Sequence, residues 1–206
     1  QVTGATKTFS GIIGGTNSIG TLDVDNTAVF SANVSATNIL IADGKTATFN
    51  GVATTGAITL GSSTAGGTMA FAHSAAQTVT GSLVSFDTDK KGTITSNNSH
   101  AGGVTITGDV GTSTLSIALL TGTQHTTVNG ALFAEAITQA DAHTLTAKGN
   151  VEVGAGDLIL SGTTGTLTLS GTSAQTVTGT GATALISGGG AGEGKIIVSN
   201  AAGATL

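Results

Sequence analysis

Residues 67–81 read GTMAFAHSAAQTVTG and residues 165–179 read GTLTLSGTSAQTVTG; they align without a gap, 8 of 15 positions are identical, and the offset is 98 residues. The same offset relates the patterns of 30–39 and 128–137, while 9–14 matches 106–111 at an offset of 97 and 56–60 matches 156–160 at 100. Drifts of this size are what small insertions in turns produce. A chain that repeats its apolar pattern at this scale must stack copies of one structural unit or string them in tandem. The sequence divides accordingly into a first β-repeat unit, 1–103, and a second, 104–206, continuous with the first.

A shorter period lies inside the unit. Phe9, Phe30, Phe49 and Phe71 are separated by 21, 19 and 22 residues, and Ile106, Val128, Leu145 and Leu169 stand at approximately matching places in the second unit. A spacing of about 20 residues fits one coil of a parallel β-helix, with these residues stacked as a ladder in its core. Apolar and polar residues alternate between the landmarks, as in Leu22-Asp23-Val24, Ile58-Thr59-Leu60, Val104-Thr105-Ile106 and Leu167-Thr168-Leu169. Alternation places one side of a strand inward and the other outward. Asp43-Gly44, Asn50-Gly51 and Asn129-Gly130 supply turns between the runs. Residues 131–142 have mildly helical composition, but their Thr and Gly flanks favour a strand and turn. The expected fold is all-β: a parallel β-helix of about ten coils, about 50 Å long at about 4.8 Å per coil. Two β-sandwich domains of about 98 residues are the alternative.

Composition fits the solenoid. Only 8% of residues are charged, six are Phe, 33 are Gly, and Pro, Cys, Trp and Tyr are absent. Stacked coils place like side chains next to each other, so a charged column would repel itself while Thr or Ser columns do not. Apolar residues make up 38% of the chain, more than a disordered segment carries. The net charge is −5 and all six basic residues are Lys, which argues against a nucleic-acid partner. Without Cys there are no disulfides and no thiolate metal sites. No apolar run is long enough for a transmembrane helix, and no signal peptide is visible. The start at Gln1 reads as processed or truncated.

Each chemistry-bearing motif falls short of a site. Asp87-Thr88-Asp89-Lys90-Lys91-Gly92 opens like a calcium loop, but Lys91 and Asn98 occupy positions that need oxygen ligands and a bidentate Glu. Asp23 and Asp25 alternate on one strand and are expected to face outward. His73, His100, His125 and His143 lack the spacing of a helical zinc site and read as surface or turn residues. The run 188–192, GGGAG, lacks the Lys-Ser/Thr and helix of a phosphate cradle. Paired carboxylates for glycan cleavage are not evident, so the chain reads as a non-enzyme without catalytic, cofactor-binding or metal residues. Thr-x-Thr triplets recur at 6–8, 46–48, 78–80, 121–123 and 176–178, but their uneven intervals leave ice binding a minor alternative.

Residues 47–60 (ATFNGVATTGAITL), 9–24 (FSGIIGGTNSIGTLDV) and 165–179 resemble the passenger regions of large bacterial surface autotransporters of the rickettsial outer membrane protein B type. The resemblance spans nearly the whole chain and rests on Gly/Thr/Asn-rich repeats. It implies export, extended β-structure, and a place on the bacterial cell surface as an adhesin or surface-layer component. These residues depart from the family in containing no segment that reads as its C-terminal membrane barrel, so the chain is expected to be a processed fragment or a self-assembling subunit, and the mode of anchoring is not implied. The expected role is a structural surface-layer, sheath, filament or adhesin-stalk protein. Its expected partners are copies of itself, head-to-tail or as lattice neighbours. The alternative is a module binding a host receptor or glycan, with the irregular stretch 85–98 as its best candidate loop; a polysaccharide-active β-helix is a further minor alternative. Similarity between 4–6 and 203–205, both Gly-Ala-Thr, supports continued β-register from end to end.

Overall fold

The computed structural model describes residues 1–61, 65–85, 90–180 and 186–206. Within them the chain forms 21 strands and no helix, so no helix is long and apolar enough to cross a membrane. Every strand pairing is parallel. This excludes the sandwich alternative, whose sheets are antiparallel, and gives the parallel solenoid.

The pairings resolve into three faces, visited in the same order in each of nine coils, against the ten or so expected. Face 1 runs through Lys7–Phe9, Ala28–Phe30, Thr46–Phe49, Thr68–Phe71, Thr93–Ser96, the end of Ile117–Gly122, the end of Leu132–Gln139, Leu158–Leu160 and Ile186–Gly188. Face 2 begins at the Ile13–Val34 bridge and continues through Ala53, Val79, Val104–Ile106, Thr126–Val128, Thr144–Ala147, Thr166–Leu169 and Lys195–Val198. Face 3 joins Val2, Val24, Ile41 and Leu60, and beside them Leu22, Ile39, Ile58, Leu83, Val110, Leu132, Val151 and Val177, with Ala204–Thr205 as a tenth rung paired to Gln175–Thr176. Long strands such as Val34–Ile41 and Leu132–Gln139 pass unbroken around a corner, which links the faces into two hydrogen-bonded sheets of 12 and nine strands. Residues 131–142 include the strand Leu132–Gln139, as their flanks suggest.

Strand alternation builds the core. Inward residues such as Ile39, Ile41, Ile58, Leu60, Leu83, Ile94 and Ile106 are almost wholly buried, while the residues between them are half-exposed. Phe30, Phe49 and Phe71 are buried and stack on face 1, with ring centroids 5.0 and 6.5 Å apart. Phe9 stacks on Phe30 at 5.2 Å but is only partly buried, because it lies in the first coil.

The second-unit residues do not extend this ladder. On face 1 the position after Phe71 is taken by Ser96 and then Gly122. Ile106, Val128 and Leu169 are in face 2, stacked through Ala147, and Leu145 lies two residues before Ala147 in the same strand. Phe30 and Val128, Phe49 and Ala147, and Phe71 and Leu169 are each 98 residues apart. One repeat therefore advances the chain by four coils and one face. The two units are one continuous solenoid, with Val104–Ile106 pairing directly to 77–79, and equivalent residues are turned to the next side.

Candidate functional site

The repeated AQTVTG segment builds a buried clamp. Gln77 is 2% exposed. Its Nε2 donates to the carbonyls of Phe49 (2.7 Å) and Gly51 (3.0 Å) in the preceding coil. Its Oε1 accepts from Asn98 Nδ2 in the next coil at 2.8 Å. Asn98 also donates to Ala75 O and accepts from His100 N. One repeat later and one corner further round, Gln175 donates to the carbonyls of Ala147 and Gly149 and accepts from Asn200 Nδ2. Asn200 then donates to Ser173 O and accepts from Ala202 N. Each amide pair ties three coils together and satisfies corner carbonyls that the strand ladders leave over. Asn98, the last position of the calcium-loop comparison, is thus a buried structural residue.

The other sequence candidates separate. Asp87, Thr88 and Asp89 lie outside the described residues, as do 86–89 of the irregular stretch; Thr93–Ser96 of that stretch is an ordinary face 1 strand. Asp23 and Asp25 are half-exposed, and Asp25 accepts a hydrogen bond from the Gln1 amide. Residues 188–192 form a turn closed by Glu193 N donating to Gly190 O. No group of three or more His, Cys, Asp or Glu side chains suited to a metal exists among the described residues.

All four histidines fall at one corner, between faces 1 and 2, on four consecutive coils. His73 and His100 close their own turns, each Nδ1 accepting from the backbone N–H two residues on at 2.9 Å. His125 and His143 meet edge to face at 5.1 Å. Burial and the neighbouring His125 hold the His143 pKa below its ordinary value, and Asp141 offsets part of that.

Threonines align as columns that sequence spacing concealed. On face 2, Thr78, Thr105, Thr127, Thr146 and Thr168 occupy one outward position in five successive coils. On face 1, Thr46, Thr68 and Thr93 form one column, and Thr48, Ala70, Thr95, Thr121 and Thr138 form the next. Corner loops absorb the uneven intervals, so the register survives them.

The most varied chemistry gathers where face 3 turns into face 1. A groove of about 250 Å³ there is lined by Lys90, Ser113, Ser116, Phe133, Ala134, Glu135, Glu152, Gly154 and Thr180. Lys90 Nζ lies 2.7 Å from Glu135 Oε2, and Ala155 N donates to Glu135 Oε1 at 2.6 Å. Burial alone would raise the Glu135 pKa, but the hydrogen bonds from Lys90 and Ala155 and the Lys90 charge outweigh it and hold the carboxyl below its usual range. A Cβ on Gly154 would come within 2.1 Å of Glu135 Oε2, so glycine leaves the space the carboxylate fills. The sequence pointed to this region only through the irregular stretch that contains Lys90. Phe133, Glu135 and Glu152 were not singled out; the one available signal was that Phe133 falls outside the phase of the Phe ladder.

Comparison with protein-family models, with curated proteins and with solved structures finds no match.

Proposed function

We propose that this chain is a structural segment of a bacterial cell-surface or extracellular protein, serving as a rigid rod in an adhesin stalk or as a subunit of a surface layer, sheath or filament. The observation that carries this reading is the all-parallel pairing on three faces around one apolar core, cross-tied by the two Gln–Asn clamps. Such a body resists bending, because a bend must open hydrogen bonds or core contacts on one side. The last rung of face 2, Lys195–Val198, exposes Ile196, Ile197 and Val198. A strand edge of this kind is suited to continued β-register with further coils of the same protein or with another copy. Light scattering after size-exclusion chromatography tests the assembling form of the reading. Association that grows with concentration and is suppressed by Val198→Lys is expected. A monomer at every concentration, with neither fibres nor sheets by electron microscopy, removes self-assembly and leaves the stalk.

A second reading is favoured by the threonine columns. Neighbouring coils place the hydroxyls about 4.8 Å apart along the axis, and alternate residues about 6.6 Å apart along the strand. An uncharged array with two regular repeats is suited to holding an ordered layer of water and, through it, ice. Thermal hysteresis with the whole chain tests this: Thr105→Lys and Thr127→Lys together should abolish it, and no hysteresis in the parent chain rejects it.

A further inference from the structure

Corner length varies along this solenoid. At the turn from face 3 to face 1, the chain from Leu132 to Gln139 is a single strand with no loop, whereas residues 111–116 make a longer excursion one coil earlier. The tight corner is therefore recessed beside its neighbour, and the groove described above is the recess. Its residues come from five different coils, so the stacking of the solenoid itself assembles it.

Phe133 gives the groove its character. Among the described phenylalanines it alone lies outside the ladder, at an outward position between buried Leu132 and Ala134. At its register position one coil earlier stands Gly111, which has no side chain to cover the ring; a Cβ there would lie 2.3 Å from the Phe133 carbonyl oxygen. At its position one coil later stands Glu152, followed by Thr178. The groove thus sets an aromatic ring beside a carboxylate, with the hydroxyls of Ser113, Ser116 and Thr180 around them and the fixed Lys90–Glu135 pair as a wall.

We propose that this groove is a saccharide subsite that takes one neutral pyranose ring of a glycan. The C–H face of a pyranose is apolar and packs on an aromatic ring. Its rim carries hydroxyls that both donate and accept. Glu152 supplies a charged acceptor, which makes the stronger kind of hydrogen bond. The Ser and Thr hydroxyls supply both roles. The volume admits one ring and little more, and a few placed polar groups around an apolar contact are the usual make-up of a small-ligand site. The Lys90–Glu135 pair cancels its own charge and leaves Glu152 as the one other charged group in the lining; a single carboxylate holds an exposed cation only weakly, so the aromatic ring and the hydroxyls favour a neutral sugar over a polyamine. The binding role is additional to the structural one and does not rest on it.

Saturation-transfer-difference NMR on the whole chain tests this, with a panel of neutral methyl pyranosides and N-acetylated pyranosides as probes and spermine as the cationic comparison. Binding of at least one pyranoside in the millimolar range is expected. Phe133→Leu should weaken it about tenfold and Glu152→Gln several-fold, while Lys7→Ala, at the far end of the solenoid, leaves it unchanged. Because Phe133 faces outward, the urea midpoint of Phe133→Leu should match the parent, which separates lost binding from lost folding. The proposal is overturned if no pyranoside receives saturation, or if binding survives both groove substitutions. It is equally overturned if spermine binds through Glu152 without Phe133 and pyranosides do not compete.

Discussion

A glutamine inside an apolar core needs partners for all its polar positions, and Gln77 and Gln175 find them in the coils on either side. Leucine in place of Gln77 would fill similar space but strand two corner carbonyls and one N–H of the Asn98 amide. A buried polar group left unpaired costs about 1–3 kcal/mol, so Gln77→Leu should lose about 2–4 kcal/mol in urea unfolding. A loss under about 1 kcal/mol would mean that water replaces the clamp. Phe30 is 1% exposed between two other rings, and Phe30→Ala should cost about 3–5 kcal/mol. Phe9→Ala should cost distinctly less, since its ring is only partly covered; equal losses would contradict the end position of Phe9. His143 sets a pH dependence. Its pKa in the folded chain is lowered, first by burial and then by His125, relative to an ordinary value of 6.5. The folded chain therefore binds fewer protons than the unfolded one at mildly acid pH. This contribution leaves stability unaffected above the ordinary value and reduces it as pH falls through that value toward the lower folded pKa. The urea midpoint should drop between about pH 7 and about pH 5, and His143→Gln should flatten the drop; an equally steep drop in that variant would assign it elsewhere.

At the scale of strands and corners, the alternation, the coil length and the burial of the phenylalanines were legible, because each is a local pattern that burial alone enforces. The rotation of the repeat was not. Self-comparison detects that 76–81 equals 174–179, but both copies make the same local corner whichever face they enter, and only the pairing shows that one leads into face 2 and the other into face 3. The threonine columns were hidden for a related reason: intervals count corner residues, while register does not. The groove was least legible, since its residues come from separate coils and no single stretch carries the pattern. One corner residue shows how tightly backbone geometry is set. The register between Ala53–Leu60 and Gln77–Ser85 shifts between Thr54 and Ala57. Gly81, at this step, has φ +124°, and a Cβ on it would lie 2.3 Å from the Thr55 carbonyl oxygen. Gly81→Ala combines a left-handed backbone with a backbone clash and should cost at least about 1–3 kcal/mol. A neutral result in urea unfolding would show that this corner relaxes easily.

For the molecule as a whole, the step of four coils and one face means that equivalent surfaces recur on successive sides of the rod. Further repeats of the same kind would distribute any repeated surface feature around the axis. All of this depends on one continuous stack of parallel coils, and the absence of Cys makes that stack accessible to site-directed spin labels without background. Outward face 1 positions Thr48 and Thr138 are four coils apart, and Thr8 and Thr138 are six. At about 4.8 Å per coil the backbone separations are about 19 and 29 Å. Double electron–electron resonance on the Thr48→Cys/Thr138→Cys and Thr8→Cys/Thr138→Cys variants should give two narrow distributions whose centres differ by about 10 Å. Broad distributions, or a longer pair that is not displaced by two coil rises, would contradict a rigid parallel rod.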